Sequence, residues 1–167
     1  QWPTINTLPV LNIIKETSRQ LFVSFPLPFL LHLFGHAAKV DEIKKITNKY
    51  KIPLLEDAAE ALGSFFKKKH LGTFGDIGIL SFNGNKIITT GGGGAILTRN
   101  KNLAKRIKFL TTTAKIPHQW KYEYSDVGYN YRLPGINAAL GCSQLLKLKK
   151  YIILKRKLFQ IYNKNFS

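Results

Sequence analysis

Apolar positions change period along this chain, and the changes mark out its elements. Phe29-Leu30-Leu31-His32-Leu33-Phe34 is a near-continuous apolar run stopped by Gly35, which predicts a buried strand. From Asp41 to Lys51 the period becomes helical, with Val40, Ile43, Ile46 and Tyr50 on one stripe and lysines opposite. Pro53-Leu54-Leu55-Glu56 predicts the next strand. Strand, helix and strand in this order predict a right-handed βαβ unit with parallel strands. Ligands of such sheets sit beyond the carboxyl ends of the strands, where Asp57 stands.

Further on, Ala58 to Leu62 predicts a short helical segment, and Lys67-Lys68-Lys69-His70 a hairpin or loop tip. Gly72 to Gly78 is a glycine-punctuated loop leading into an apolar run that ends at Phe82, and Ala95 to Thr98 predicts another strand. Asn100 is placed to cap a helix from Lys101 to Leu110, with Leu103, Ile107 and Leu110 inward. Thr111 to Ser125 reads as a polar connector holding Trp120 and two tyrosines. Leu133 to about Asn163 predicts one long helical stretch, apolar at Ile136, Leu140, Leu145, Leu148, Ile152 and Phe159, with Pro134 suited to its first turn. Near the start, Val10 to Gln20 reads as a short helix with Leu11, Ile14 and Leu21 on one side.

Composition narrows the class. The 167 residues are enough for one domain with a core, and 44% apolar content fits a globular protein. The formal charge of +17 raises nucleic acid, an anionic membrane or a phosphorylated ligand as partners. The lysines are scattered without a run of five basic residues, so solvated faces explain them better and nucleic acid is not expected. The single cysteine, Cys142, excludes an internal disulfide and suits a reducing, cytoplasmic compartment. Its apolar helical setting predicts a buried structural thiol. No apolar run is long enough to span a bilayer, and no N-terminal signal pattern is visible. The chain begins at Gln1 and contains no methionine.

The candidate chemistry centres on Ser81-Phe82-Asn83-Gly84-Asn85-Lys86, followed by Gly91-Gly92-Gly93-Gly94. A lysine between buried strands is either a solvated loop residue or an amine with a task. Desolvation makes it a better nucleophile toward a carbonyl, with which it forms a Schiff base. Upstream stands Leu54-Leu55-Glu56-Asp57-Ala58-Ala59-Glu60-Ala61-Leu62-Gly63-Ser64, and downstream Gly128-Tyr129-Asn130-Tyr131-Arg132-Leu133. Together, from about His32 to the C-terminus, these motifs resemble the DegT/DnrJ/EryC1/StrS family of sugar aminotransferases that use pyridoxal phosphate. The Asn83-to-Lys86 turn, Leu110-Thr111-Thr112-Thr113-Ala114-Lys115 with Pro117-His118, and Asn137-Ala138-Ala139-Leu140-Gly141-Cys142 resemble the branch that aminates 4-keto-6-deoxy nucleotide sugars for bacillosamine and legionaminic acid.

The resemblance implies an α/β fold, the large domain of a fold-type-I pyridoxal phosphate enzyme, with a mainly parallel sheet flanked by helices. It implies a chain shortened at both ends: 1–24 poorly matched, 25–132 the cofactor-binding portion, and 133–167 a long helix leading toward a small domain. It makes Lys86 the imine lysine and acid–base group. Asp57 becomes the partner of the pyridine nitrogen, although a helix N-cap is its ordinary reading. Glu60 would reach the ring hydroxyl or stay solvated. Ser81 would donate to the phosphate or be satisfied within its strand. Asn130 would reach the phosphate of a partner subunit, making a homodimer with shared sites. Asn83 would help set sugar specificity, and Arg132 would stabilise its loop or meet the nucleotide diphosphate. The implied substrates are a nucleotide-linked 4-keto-6-deoxy N-acetyl sugar, aminated at C4, and an amino donor, glutamate.

Other signals carry less. Gly91 to Gly94 lacks the Gly-Lys-Ser/Thr of a Walker loop and in the resemblance forms a flexible loop beside the lysine. His32 and His36 have i, i+4 spacing, but Gly35 intervenes and no glutamate lies between them, so no metal is expected. The rival reading is an inactive fragment or a basic binding protein that keeps the fold. Its binding would weaken steeply with salt and ignore Lys86→Ala.

Overall fold

The computed structural model describes residues 27–166, so the poorly matched segment 1–24 and the helix expected at Val10 to Gln20 lie outside the described residues. The described chain forms two compact units: Leu27–Thr98 with 133–166, and Arg99–Arg132.

The first unit is built on a four-stranded sheet with order β1-β2-β5-β6, from β1 (Phe29–Leu31), β2 (Leu55–Asp57), β5 (Ile77–Ser81) and β6 (Gly94–Leu97). β1 and β2 pair in parallel with α1 (Val40–Lys49) between them in sequence, as the periodicity requires. β5 lies parallel to β2, with Asp57 opposite Ile79, and β6 runs antiparallel to β5. The sheet is therefore mostly parallel, and the expected α/β fold stands.

Several elements differ from expectation. The first strand stops at Leu31, and Leu33–Gly35 turn into a short 3-10 helix in which Phe34 has φ of 51°. On α1 the inward stripe is Val40, Ile43 and Thr47; Ile46 and Tyr50 are exposed. Thr47 tolerates burial because its hydroxyl donates to the carbonyl of Lys44 at 3.2 Å. Ala58 to Leu62 forms turns rather than a helix, because Ala58 N–H bonds Ile79 O and Ala61 N–H bonds Ala58 O.

The expected hairpin tip is present. β3 (Phe65–Phe66) and β4 (Lys69–His70) pair around Lys67 and Lys68, at φ of 48° and 65°. Such turns normally take Asn-Gly. Here Lys67 Nζ donates to Asp41 Oδ2 at 2.6 Å, and this hydrogen bond holds the Asp41 carboxyl below its ordinary range. Lys69 Nζ lies 4.4 Å from the centre of the Phe74 ring. Gly78 is required by close approach, since a Cβ there would lie 1.8 Å from Gly72 O.

The predicted long C-terminal helix is two helices, α3 (Gly135–Leu145) and α4 (Leu148–Phe166). Pro134 is the N-cap of α3 rather than a residue of its first turn. The break needs no glycine or proline: Lys147 N–H bonds Gln144 O at 2.9 Å, an i to i−3 contact that tightens the chain out of α register. Leu148 and Ile152 face inward as expected, with Ile152 packed over Gly63. Ile136, Leu140, Leu145 and Phe159 are exposed instead. α3 meets its unit through Asn137, Gly141 and Gln144, whose 4 and 3 spacing makes one face, so the apolar residues fall elsewhere. Cys142, expected to be buried, is exposed for the same reason.

One buried polar group ties this unit together. Glu56, with no exposed surface, accepts hydrogen bonds from Gly72 N–H at 2.9 Å and from Gly75 N–H. His32, equally buried, completes the set with Nε2 2.9 Å from Glu56 Oε2. Ala38 N–H donates to His32 Nδ1 at 3.3 Å, so the ring proton sits on Nε2 and points at the carboxylate. These bonds join β2, the end of β1 and the loop before β5.

In the second unit, Asn100 caps α2 (Lys101–Thr111) as expected, its side chain accepting from Asn102 N–H at 3.0 Å and Leu103 N–H at 3.1 Å. Ile107 and Leu110 are buried and Leu103 half-buried. The connector after α2 is more structured than its composition implies. It folds back through the bridges Thr112–Asn130 and Lys115–Tyr124, and Phe109 and Tyr129 pack on Leu110 and Ala114.

Two stability predictions follow from these contacts. Glu56→Ala strands two loop amides and His32, and is expected to cost about 3–5 kcal/mol. Asn100→Ala removes only a cap and is expected to cost about 1 kcal/mol. Denaturant titration of both variants checks the order, and a Glu56 loss no larger than the cap loss would contradict it.

Candidate active site

The carboxyl ends of parallel strands gather the candidate residues of the first unit. Asp57 ends β2, and Ser81 ends β5 two residues beyond the partner of Asp57. Between β5 and β6 the chain makes an excursion, closed by Phe82 N–H to Gly93 O at 2.9 Å and Thr90 N–H to Phe82 O at 3.0 Å. Lys86 sits in its first turn, with its N–H bonded to Asn83 O at 3.1 Å.

The Lys86 side chain turns back toward the protein. It is 17% exposed, and its Nζ lies 3.5 Å from Glu60 Oε1. This is the geometry of a placed amine, not of a solvated loop lysine. Glu60 Oε2 in turn accepts from Phe34 N–H at 2.8 Å, which links the lysine to the turn after β1. Glu60 is thus anchored at both oxygens.

Asp57 uses Oδ1 to accept Ala59 N–H at 3.0 Å. With no helix following, this is an Asx turn rather than an N-cap. Oδ2 has no protein partner among the described residues. Ser81 Oγ accepts Asn83 N–H at 3.4 Å, which leaves the hydroxyl proton to donate elsewhere. Asn83 Nδ2 donates to Asn85 Oδ1 at 3.3 Å within the lysine turn.

The glycine loop beside Lys86 is held at several points. Thr89 N–H donates to Gln144 Oε1 at 2.9 Å, Thr89 Oγ1 donates to Phe82 O at 3.0 Å, and Asn137 Nδ2 donates to Thr90 O. Thr90 is almost fully buried. Sequence reasoning assigned no role to Thr89, Thr90, Asn137 or Gln144, nor to Glu56 beneath Asp57. An acid that ends an apolar strand run directly before Asp57 is the signal from which Glu56 is recoverable.

Asn130 and Arg132 belong to the second unit. Asn130 bridges Thr112, and the adjacent Tyr131 N–H bonds Thr111 O at 2.9 Å. Tyr129 and Tyr131 stack with ring centres 5.4 Å apart. The segment is braced by an ion pair between Arg106 and Asp126. No group of three His, Cys, Asp or Glu among the described residues is arranged to hold a metal, and no described helix is long and apolar enough to cross a membrane.

The profile of the DegT/DnrJ/EryC1/StrS aminotransferase family matches residues 29–167. The chain belongs to that family. It is 40% identical over 137 residues to GDP-perosamine synthase of Escherichia coli O157:H7, covering 82% of this chain and 37% of that protein. It is 39% identical over 134 residues to UDP-4-amino-4,6-dideoxy-N-acetyl-beta-L-altrosamine transaminase of Campylobacter jejuni, covering 80% of this chain and 36% of that one. The structure of E. coli GDP-4-keto-6-deoxy-D-mannose-3-dehydratase with bound hydrated pyridoxal phosphate superposes with a TM-score of 0.74 at 28% identity, over 90% of this chain and 43% of that one. The chain thus spans well under half the length of these relatives.

The cofactor of the family is pyridoxal phosphate, and the residues present suit it. One amine is partly desolvated at a strand end, one carboxylate oxygen is unclaimed, and one hydroxyl keeps a free proton. An amine for the aldehyde, an acid for the ring nitrogen and a donor for the phosphate form the donor set the cofactor needs.

The Arg106–Asp126 brace yields a pH prediction. The hydrogen bond from Arg106, then that from Val127 N–H, hold the Asp126 carboxyl below its ordinary value of 3.8. A depressed folded value gives stability that is present above the unfolded value and lost as pH falls through the folded one. Asp126→Asn is therefore expected to destabilise at pH 7 and to shrink the fall in denaturant midpoint between pH 7 and pH 3. An unchanged fall would show that the pair does not brace the segment.

Proposed function

We propose that the protein binds pyridoxal phosphate at the carboxyl ends of β2 and β5 and transfers an amino group to a nucleotide-linked keto sugar. The observation that carries this reading is Lys86, mostly covered and 3.5 Å from Glu60, at the same sheet end as Asp57 and Ser81. The cofactor, when bound, supplies an electron sink that stabilises negative charge on the substrate carbon.

The chain's residues supply position and protons. Lys86 Nζ would hold the cofactor through its aldehyde and would serve as the group that moves the proton at the substrate carbon, as base and then acid. Asp57, whose Oδ2 is unclaimed, would hold the pyridine nitrogen of a bound cofactor and keep it protonated, because a neighbouring carboxylate favours the charged form. The Ser81 hydroxyl would donate to the phosphate, and Glu60 would reach the ring hydroxyl. Asn83, beside the lysine, helps select the sugar. Asn130 would reach the phosphate held by a partner subunit, which would make the working unit a homodimer.

The substrate follows from the relatives, whose names specify GDP- and UDP-linked sugars. We assign a 4-keto-6-deoxy N-acetyl sugar aminated at C4, with glutamate as donor, in the supply of sugars for surface polysaccharide. Nucleotide-linked sugars and an exposed thiol at Cys142 both suit the reducing cytoplasm.

Mixing the full chain with pyridoxal phosphate beside Lys86→Ala tests the reading. A visible absorption band that borohydride abolishes, present in the parent and missing in the variant, is expected. Asp57→Asn is expected to keep the band and lower amino transfer about a hundredfold or more. A band that survives in Lys86→Ala would overturn the assignment of the lysine. Mass analysis of the sugar product separates amination from loss of a hydroxyl, the reaction named for the dehydratase relative.

A further inference from the structure

The loop that follows Lys86 runs into four glycines, Gly91 to Gly94, and two of them, Gly91 and Gly93, adopt φ of 80° and 98°. Glycine brings no side chain to fix such a loop and gives it the widest backbone freedom. Holding it is therefore a task for residues from elsewhere in the unit. Thr89 and Thr90, between the lysine and the glycines, are where α3 takes hold. Thr89 N–H donates to Gln144 Oε1 at 2.9 Å, and Asn137 Nδ2 donates to Thr90 O. Gly141, between the two amides on the same helix face, makes room for Thr90: a Cβ there would lie 2.7 Å from Thr90 Cγ2.

The two amides are matched to the backbone they meet. An N–H needs an acceptor and a carbonyl needs a donor, so the partners fix which end of each amide faces the loop. Gln144 and Asn137 thus stand in for a neighbouring strand at Thr89 and Thr90. The hold passes on through Thr89, whose hydroxyl donates to Phe82 O at 3.0 Å and accepts from Gly91 N–H at 2.9 Å. Phe82 follows Ser81 at the end of β5, so the same contacts tie the lysine loop to that strand end. Lys86 lies inside the stretch closed in this way. Its Nζ is 3.5 Å from Glu60 Oε1, longer than a charge-assisted hydrogen bond, so the loop places the amine more firmly than that partner does.

We infer that Gln144 and Asn137 are positioning residues for Lys86: by latching Thr89 and Thr90 they set where the lysine amine stands. The inference rests on the reading of Lys86 as the amine that holds the cofactor, and adds to it two residues that act only through the loop. Misplacing a reacting group by about 1 Å is enough to slow its reaction about a hundredfold. Release of the latch frees the glycine loop and carries the half-covered lysine toward water and away from Glu60. A merely structural role would lower stability and leave the amine where it is in the folded chain.

Trace labelling of the full, cofactor-free chain with acetic anhydride, followed by peptide mapping, reads the reactivity of each lysine amine. Gln144→Met and Asn137→Leu remove the polar contacts at nearly constant shape. In each, Lys86 is expected to label about fivefold faster relative to the exposed Lys121, the factor that a lost hydrogen bond of this kind makes in an equilibrium. Gln144→Glu, which keeps the acceptor, is expected to return Lys86 to the parent rate, and Gln160→Met, the same change on exposed α4, to leave it there. With pyridoxal phosphate added, the concentration that half-forms the borohydride-sensitive band is expected to rise about tenfold in Gln144→Met and to recover in Gln144→Glu. Lys86 labelling at the parent rate in either latch variant overturns the proposal. So does a rise shared equally by every lysine, or a Gln144→Glu chain that labels like Gln144→Met. A band in the parent with Lys86 labelling unmoved in the variants removes the latch alone. No band in the parent, with Lys86 labelling raised as expected, removes the cofactor reading alone.

Discussion

A buried carboxylate with every oxygen satisfied is the constraint on which the first unit depends. Glu56 lies within the sheet without exposed surface, and its partners come from three places: His32 after β1, and Gly72 and Gly75 before β5. A buried acid without such partners would be strongly destabilising, so the loop and the histidine must be in place for the sheet to be stable. The next residue along β2, Asp57, points to the opposite face. Fixing Glu56 therefore fixes the strand end that presents Asp57, and the loop that leads to β5 and Ser81. Core and candidate site are set by the same few hydrogen bonds.

Around this anchor, Glu60 and Lys86 are tied across separate segments. Glu60 receives the Phe34 amide and approaches Lys86, so the turn after β1 and the turn after β5 meet through one side chain. The left-handed Phe34 is held in part by that bond. α3 reaches the lysine loop through Asn137 and Gln144. A chemistry that needs a lysine, a carboxylate and a hydroxyl in fixed register requires this kind of support.

Where the sequence pattern was local, it was readable. The βαβ unit followed from a change in period, the α2 cap from Asn100, and the hairpin tip from its lysines. The motif residues Asp57, Ser81, Asn83 and Lys86 fall at strand ends and turns, as their flanking runs implied. What could not be read were choices made by tertiary contact. The break between α3 and α4 carries no glycine or proline, and α3 turns a face of Asn137, Gly141 and Gln144 toward its unit, against its own apolar periodicity. Thr47 replaces Ile46 on the inner stripe of α1 because its hydroxyl is satisfied within the helix. The Glu56–His32 pair joins residues far apart in sequence, and no spacing rule announces it.

We propose that Lys86, of all the amines in this lysine-rich chain, holds the cofactor. The most direct measurement is peptide mapping by mass spectrometry after borohydride reduction of the chain saturated with pyridoxal phosphate. The stable adduct mass is expected on the peptide containing Lys86, at near-full occupancy. Adduct spread over Lys115, Lys121 and the helix lysines, with Lys86 no more labelled than they are, would contradict it.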